Sequence, residues 1–510
     1  MYTKLMRNHR ALIFLVLIFL CTRFFNLTIV PIFNDEAVHI DWGYKELHGR
    51  GLFYSLSDAK QPLLMWLFGL SQLVMHDPLF ASRTVSVLFG LASLIGIYKL
   101  AEHSFTKKVA LYAAVTYLCA PLFLFFDKQA LMEGPLVAVS VWSIFIYLKI
   151  WERPTMQRAL ALGAILGIGF FIKTTALFFL AALVVVSVYE ILIRKRPQKG
   201  PVAASLILAA VVSQGVLAPL YFQPLFWQTL SRTAERSLGI TEVLSFPIAQ
   251  WWQTVRAVTE ISWWQLTPPL FMLSLIGIGV VVHKARTNAN YSLSVWIYFA
   301  LILIFYCLTA RSSPVRYIVP LLAGVPLLVG LAVEYLSRWK FLYGIALVSL
   351  AVPLYCIFML TMNPVQYFSQ LARYTAYSQQ DEYVTQWPAG FGVLEVLQEI
   401  YTHVGTQSAV VAVRPDAGIP ESAVFAYLNA DTQLQPLFFD ATIAPFITQY
   451  DCIQATRPFY FVSRDAQLGG LEQYVQELGR IQKPQNKSSL GLYTLKQCTT
   501  TQKVLTLEFE

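Results

Sequence analysis

About eleven apolar runs, most near the ~20 residues that carry a helix across a bilayer, fill the first 362 residues of the chain. They leave few folds open. In lipid each backbone N–H and C=O must be satisfied inside the segment, so runs of this length become helices. Composition agrees. The chain has 510 residues, of which 56% are hydrophobic and 13% charged, against about 25% charged in a soluble domain. The sequence reads as a polytopic α-helical membrane protein. Its formal net charge of +9 does not point to nucleic acid, because most Lys and Arg sit in short loops between apolar runs.

Those loops set an orientation. Lys4, Arg7 and Arg10 precede the run 11–33, which puts the N-terminus in the cytoplasm. No small-residue cleavage site follows that run, so it reads as a retained helix. Runs 84–101, 109–126, 135–151, 159–172, 176–193, 202–221, 266–283, 291–309, 317–333 and 341–362 then alternate inward and outward. Basic residues gather at 107–108, 152–158, 194–196, 284–286 and 338–340, all on the cytoplasmic side. The run 62–75 is too short to span, and is expected to lie in the outer interface. This gives a membrane domain over 1–362, with a first extracytoplasmic loop and juxtamembrane helices over 34–83. The expected location is the cell membrane, with outer loops at 34–60, 127–134, 173–175, 222–265 and 310–316.

From residue 363 the composition turns mixed polar. Residues 387–392, Trp-Pro-Ala-Gly-Phe-Gly, form a turn-rich junction. Helical spacing over 393–404, 420–428 and 471–478 alternates with strand-like runs at 409–413, 459–462 and 491–495. A small extracytoplasmic α/β domain over 363–510 is expected. Cys21, Cys119, Cys307 and Cys356 lie in or beside apolar runs and read as small hydrophobes. Cys452 and Cys498 lie in the polar part and could pair if it faces an oxidising compartment.

The stretch 34–60 is unlike a plain connector. It holds Asp35, Glu36, Asp41 and Glu46, two histidines, His39 and His48, and ends on Lys60. Carboxylates at a membrane surface cost desolvation and mark a functional site first. A plain alternative is an N-cap on a helix that begins near Ala37. The outer loops also carry Lys60, Arg83, Lys128, Lys173, Arg232, Arg236, Arg311 and Arg316, where the positive-inside rule expects few cations. Snorkelling to headgroups accounts for some. Eight on the side of the acidic stretch point to phosphate or pyrophosphate. Phe222, Phe226, Trp227, Trp251, Trp252, Trp263 and Trp264 crowd the segment 222–265 as an aromatic belt, or as a rest for a lipid chain or sugar. Asp35 and Glu36 are the best catalytic acid/base pair. A sugar transfer from a lipid phosphate to a hydroxyl needs a carboxylate to take the acceptor proton. It also needs cations for the departing phosphate. No resident cofactor is called, although Asp35, His39 and Asp41 could hold a divalent metal ion.

Four motifs carry a resemblance. Residues 34–37, Asn-Asp-Glu-Ala, follow the first helix. Residues 60–64 read Lys-Gln-Pro-Leu-Leu. Residues 128–136 read Lys-Gln-Ala-Leu-Met-Glu-Gly-Pro-Leu, and 316–321 read Arg-Tyr-Ile-Val-Pro-Leu. In this order the chain resembles the GT-C superfamily of membrane glycosyltransferases, specifically the protein-mannosyltransferase family and its bacterial relatives, the aminoarabinose transferases of lipid A. The stretch 167–174, with Lys173, resembles a glycine-then-lysine turn seen there. The resemblance implies a hexosyl- or pentosyltransferase that uses a polyprenyl-phosphate-linked sugar donor. It further implies an extracytoplasmic site and inversion at the anomeric carbon. Asp35 would be the base with Glu36 and Glu133 beside it. Lys60, Lys128, Lys173, Arg316 and Tyr317 would contact the donor phosphate. His39, Asp41 and Arg83 would support the acceptor or the loop. Lys128 replaces the family's Arg and Glu133 its Asp, which keeps charge and changes reach. The acceptor class stays open among protein hydroxyl, lipid and glycan. An oligosaccharyltransferase would share the architecture, but its Trp-Trp-Asp motif is missing, since Trp252 and Trp264 are each followed by Gln. The non-enzymatic alternative is a lipid or sugar transporter or flippase, whose sites lie near the midplane.

Overall fold

The structure, a computed structural model, describes residues 2–195, 198–228, 236–288, 293–415, 418–439 and 444–509. Arg196 and Arg232 lie outside the described residues. The chain folds as two compact units. One contains the residues up to Leu27, Arg50–Leu67 and Arg83–Asn363. The other contains Thr28–Gly49, Phe68–Ser82 and Pro364–Glu510. The acidic stretch at 34–47 therefore shares a unit with the C-terminal sheet.

The first unit is helical. Among the described residues, seven helices are long and apolar enough to cross a membrane: Pro78–Ser104, Glu133–Glu152, Thr174–Ile193, Lys199–Tyr221, Pro268–Thr287, Val315–Leu336 and Lys340–Met362. An eighth is added if Lys107–Cys119 and Pro121–Asp127, bent by 67°, form one span. By length and composition the described residues thus give seven or eight spans, against an expected number near eleven. Met156–Ile172 and Ser294–Thr309 are apolar but shorter. The run 109–126 is broken because Pro121 cannot extend the preceding helix and instead starts a new one at its N-terminal turn. Small residues set close approaches. A Cβ on Gly163 would sit 2.5 Å from the Ala209 carbonyl, and one on Gly167 2.6 Å from Val216. Both glycines are therefore needed where Met156–Ile172 packs against Lys199–Tyr221.

The second unit joins helix Asn34–Leu47 to the C-terminal sheet domain. The helix starts at Asn34, three residues before the expected point, and fills much of what read as a loop. Seven strands follow: β1 Ala409–Val413, β2 Leu434–Phe438, β3 Cys452–Ala455, β4 Phe459–Arg464, β5 Val475–Gln482, β6 Ser489–Leu495 and β7 Val504–Leu507. Five form a mixed sheet in the order β2-β1-β4-β6-β5, with β1 parallel to β2 and β4, and β6 antiparallel to β4 and β5. Strands β3 and β7 pair separately in parallel. Alternate residues of β1 and β4 (Val410, Ala412, Phe459, Phe461) enter one core with Tyr474, Val475 and Tyr493. Helices Val393–Val404 and Glu421–Leu428 appear where helical spacing predicted them.

The expected helix 471–478 is corrected to a turn and the start of β5. Leu471, Val475 and Leu478 have helical spacing, but Gly479 follows, and the β5–β6 ladder shifts register between Glu477 and Gly479. Pairing with β6 overrides a short periodicity. Cys452 and Cys498 form a disulfide that spans 46 residues of chain. It closes a loop around β4, β5 and β6, and by chain entropy a loop of that length is worth about 4 kcal/mol. Thiol titration after denaturation without reductant should count four reactive cysteines, Cys21, Cys119, Cys307 and Cys356. Reduction should raise the count to six. Six before reduction would mean that the bond does not form.

Candidate active site

Within the helical unit, three of the motifs converge. Glu133 opens helix Glu133–Glu152, and Lys173 ends Met156–Ile172. Tyr317 lies in the first turn of Val315–Leu336. The Lys173 ammonium is 2.5 Å from Glu133 Oε1, with both side chains largely buried. The same ammonium lies 4.0 Å from the centre of the Tyr317 ring, and Arg316 lies beside that ring. Arg236 Nη1 donates to Tyr317 Oη at 2.6 Å. One carboxylate, three cations and a phenol thus occupy one place. A phosphate suits such a set: the cations and phenol can donate to its oxygens, and Glu133 holds Lys173 in position.

Arg236 is one of the outer cations, and no motif in the sequence singles it out as a site residue. Its position depends on a contact invisible in sequence. Ser237 pairs with Ala310 as an isolated antiparallel bridge, and Leu238 N donates to Thr309 O at 2.6 Å. Arg311 holds Glu242 through two bonds of 2.7 Å. These contacts fasten 236–242 beside 309–311 and bring Arg236 to Tyr317. The segment carrying Lys60 packs through Leu56, Leu63 and Trp66 on Phe171, two residues before Lys173. Lys60 itself is half-buried.

Two expected site residues go elsewhere. Lys128 Nζ donates to the carbonyls of Phe25 at 2.7 Å and Asn26 at 3.5 Å. Arg83 Nη1 donates to that of Leu27 at 2.9 Å, and Nη2 to Gln129 Oε1 at 3.4 Å. These carbonyls follow the first helix, Tyr2–Phe24, where acceptors lack intrahelical partners and the dipole is negative. Lys128 and Arg83 therefore cap a helix. Burial, then Arg23 and Arg83, push the Lys128 ammonium down to about 7. Beside them Arg23 Nε meets Asp127 Oδ2 at 3.1 Å, with 0% and 2% of the two side chains exposed. Tyr117 donates to the other Asp127 oxygen at 2.7 Å. Arg23 sits inside an apolar run and gave no site signal.

The acidic helix belongs to the second unit and is described there. Asp35 and Glu36 occupy its first turn. Glu36 is fully buried and accepts from Phe33 N at 3.1 Å, so it caps the helix from its third position. Asp41 binds Lys45 at 2.7 Å and accepts from Asn429 at 2.8 Å. Burial raises the Asp41 carboxyl, opposed by Lys45 and Asn429. Lys45 also lies over the Phe425 ring. His39 is buried in the same helix. Asp41 is thus turned to the sheet domain, and Asp35 and His39 do not gather with it as ligands. Among the described residues no group of three or more His, Cys, Asp or Glu is arranged to hold a metal ion.

Residues 59–217 match the family model for dolichyl-phosphate-mannose-protein mannosyltransferase. That stretch contains Lys60, Arg83, Lys128, Glu133 and Lys173. No curated protein sequence matches the chain. Among solved structures, the chain is similar to ArnT from Cupriavidus metallidurans bound to undecaprenyl phosphate, at 13% identity and a TM-score of 0.58. That match covers 94% of this chain and 97% of that one. ArnT in the apo state matches at 14% identity and TM-score 0.56, with the same coverage. The Archaeoglobus fulgidus oligosaccharyltransferase in complex with Zn and sulfate matches at 12% identity and TM-score 0.52, over 84% of this chain and 62% of that one. The resemblance read from the motifs is borne out at the level of fold: the chain folds like ArnT and the archaeal oligosaccharyltransferase.

The Arg23–Asp127 pair should be costly to break. Asp127→Asn leaves a buried guanidinium uncompensated and should lower stability by about 3–5 kcal/mol. Tyr117→Phe, which removes one neutral donor, should cost about 1–2 kcal/mol. Thermal unfolding in detergent measures both. Equal effects would mean that the charge pair is not the main tie.

Proposed function

We propose that the chain is an integral-membrane glycosyltransferase that moves a sugar from a polyprenyl-phosphate-linked donor to an extracytoplasmic acceptor, with inversion. The observation that carries this is the cluster of Glu133, Lys173, Arg236, Arg316 and Tyr317 in a fold of this class. The family match and the lipid phosphate bound by ArnT support the donor class.

The reaction asks two things of the protein. An acceptor hydroxyl must lose its proton as it attacks the anomeric carbon, and the bond from that carbon to the phosphate oxygen must break. In this reading Asp35 takes the proton. It stands in the first turn of the acidic helix, one residue before Glu36, which accepts from Phe33 N and fixes the helix start. Lys173 and Arg316, with Tyr317, Lys60 and Arg236, bind the phosphate and stabilise the charge that grows on it as the sugar leaves. Glu133 orients Lys173. Lys128 and Arg83 act through the fold, at the end of the first helix. The acceptor is a protein hydroxyl, a lipid or a glycan at the outer face of the cell membrane. In this orientation the N-terminus is cytoplasmic and the sheet domain lies outside.

The test is a transfer assay in proteoliposomes with a panel of polyprenyl-phosphate sugars. Wild type should release free polyprenyl phosphate from one of them. Asp35→Asn should slow release by about 10²–10⁴-fold at saturating donor, the usual size of a general-base effect. Lys173→Met should weaken both donor binding and turnover. Equal consumption by wild type and Asp35→Asn would remove Asp35 as the base. Consumption of no donor, with movement of the lipid between leaflets, would favour a transporter.

A further inference from the structure

Lys483 is a buried cation that the proposed chemistry does not use. It follows β5 and is 1% exposed. Its ammonium meets three carbonyl oxygens: Ala389 at 2.6 Å, Gln386 at 3.0 Å and Trp387 at 3.5 Å. An ammonium has three donors, and here each has a backbone acceptor. Among the described residues no carboxylate touches it. Burial pushes its pKa down to about 7, with Asp465 acting against this and Arg464 with it. A buried cation held by dipoles alone is an expensive way to fix a loop. The Gln386 carbonyl also accepts from Ala389 N at 3.1 Å, but an apolar residue in place of Lys483 would take this donor from the Trp387 and Ala389 carbonyls.

The loop it fixes is the turn-rich junction at 387–392, and that junction is a template for the acidic helix. Phe33 pairs with Ala389 as an antiparallel bridge, and Asn34 N donates to Pro388 O at 2.9 Å. The fit is close. A Cβ on Gly390 would run into the Ile32 carbonyl. A Cβ on Gly418 would touch the Trp387 ring and lie 3.0 Å from Asn34 Oδ1. Gly392, at φ +92°, turns the chain into helix Val393–Val404 against Ile481 and Leu490. The Lys483 ammonium therefore binds the same peptide segment that receives residues 33 and 34. The next residue is Asp35.

We propose that Lys483 is a positioning residue for the acidic helix: it clamps residues 386–389 as a template on which Phe33 and Asn34 dock, and thereby fixes where Asp35 points. The docking part stands without any assumption about chemistry. The catalytic consequence rests on Asp35 being the base, as proposed above.

Hydrogen exchange on the full-length protein in detergent separates the two. Wild type, Lys483→Met and Gly390→Ala are compared through peptides that report the Asn34 amide and through peptides from β4 and β6. Exchange at Asn34 should rise about tenfold or more in both variants, the scale of one lost hydrogen bond to a charged group. β4 and β6 should keep their protection. An unchanged Asn34 rate in Lys483→Met would overturn the proposal. So would a parallel rise in β4 and β6, which would mean general loosening of the domain. With the donor that wild type consumes, Lys483→Met should lower kcat about tenfold or more at unchanged donor KM. Lys483→Arg, which keeps the cation, should recover part of both losses. Loss of Asn34 protection while Asp35→Asn turns over at the wild-type rate would support the clamp and reject Asp35 as base.

Discussion

The carboxyl end of the first helix is the point on which the helical unit depends. Three consecutive carbonyls, those of Phe25, Asn26 and Leu27, are capped by Lys128 and Arg83. Water would do this at an ordinary helix end. At a low-dielectric one the donors must come from the protein. The arrangement pairs Asp127 with Arg23 and brings Arg23 and Arg83 close enough to act on the Lys128 ammonium. The helix dipole, about half a negative charge at its carboxyl end, favours cations there. Burial first, and then the two guanidinium groups, depress the Lys128 ammonium. The contacts tie helix Tyr2–Phe24, helix Pro78–Ser104 and the segment after the broken helix to one another.

The outer charges consequently divide into two sets with different physics. Asp127, Lys128 and Arg83 are spent on the fold. Glu133, Lys173, Tyr317 and Arg236 meet one another and leave an arrangement suited to an anion. Lys128 and Glu133 are only five residues apart, yet belong to different sets. Between them the chain leaves helix Pro121–Asp127, passes through 128–132 and re-enters a helix at Glu133. A short break of this kind sends neighbouring side chains to different partners. The kink at Pro121 and the small Gly90, whose missing side chain leaves room for the Asp127 carboxylate, make that division feasible.

This explains which parts were legible in sequence. Apolar length and loop charge revealed the helical class, because lipid imposes them residue by residue. Strands β1, β4 and β6 and helix Val393–Val404 were readable from local pattern. Strands β2, β3 and β7 were not: β1 is just as short but is an unbroken apolar run, whereas Gln435 and Pro436, Gln454 and Thr506 interrupt these three. Helical spacing at 471–478 misled because an edge strand with a register shift need not alternate cleanly. For the candidate site, Glu133, Lys173, Arg316 and Tyr317 were reached through motif order. The role of Lys128 was not, since a cation that caps a helix and one that binds phosphate look the same in sequence. Arg23 and Lys483 were invisible for the same reason: each is defined by carbonyls or by an acid far along the chain.

The second unit adds a constraint of order. It is assembled from three separate stretches, and its acidic helix meets one partner nearby, at residues 69–72, and the others only near the end of the chain. Asp41 and Asn429 are 388 residues apart, and Asn34 waits for Pro388. Before the sheet domain exists the helix has only the nearby residues 69–72 to pack on, Asp41 lacks Asn429, and a helix of 14 residues is marginal alone in water. Contacts of such sequence separation form late, because closing the intervening chain costs entropy before any bond repays it. The anion-suited cluster needs none of this, since its members all lie in the helical unit. The chain thus builds its cationic site and its acidic helix by independent routes, and the acidic helix is complete only when the last domain has folded.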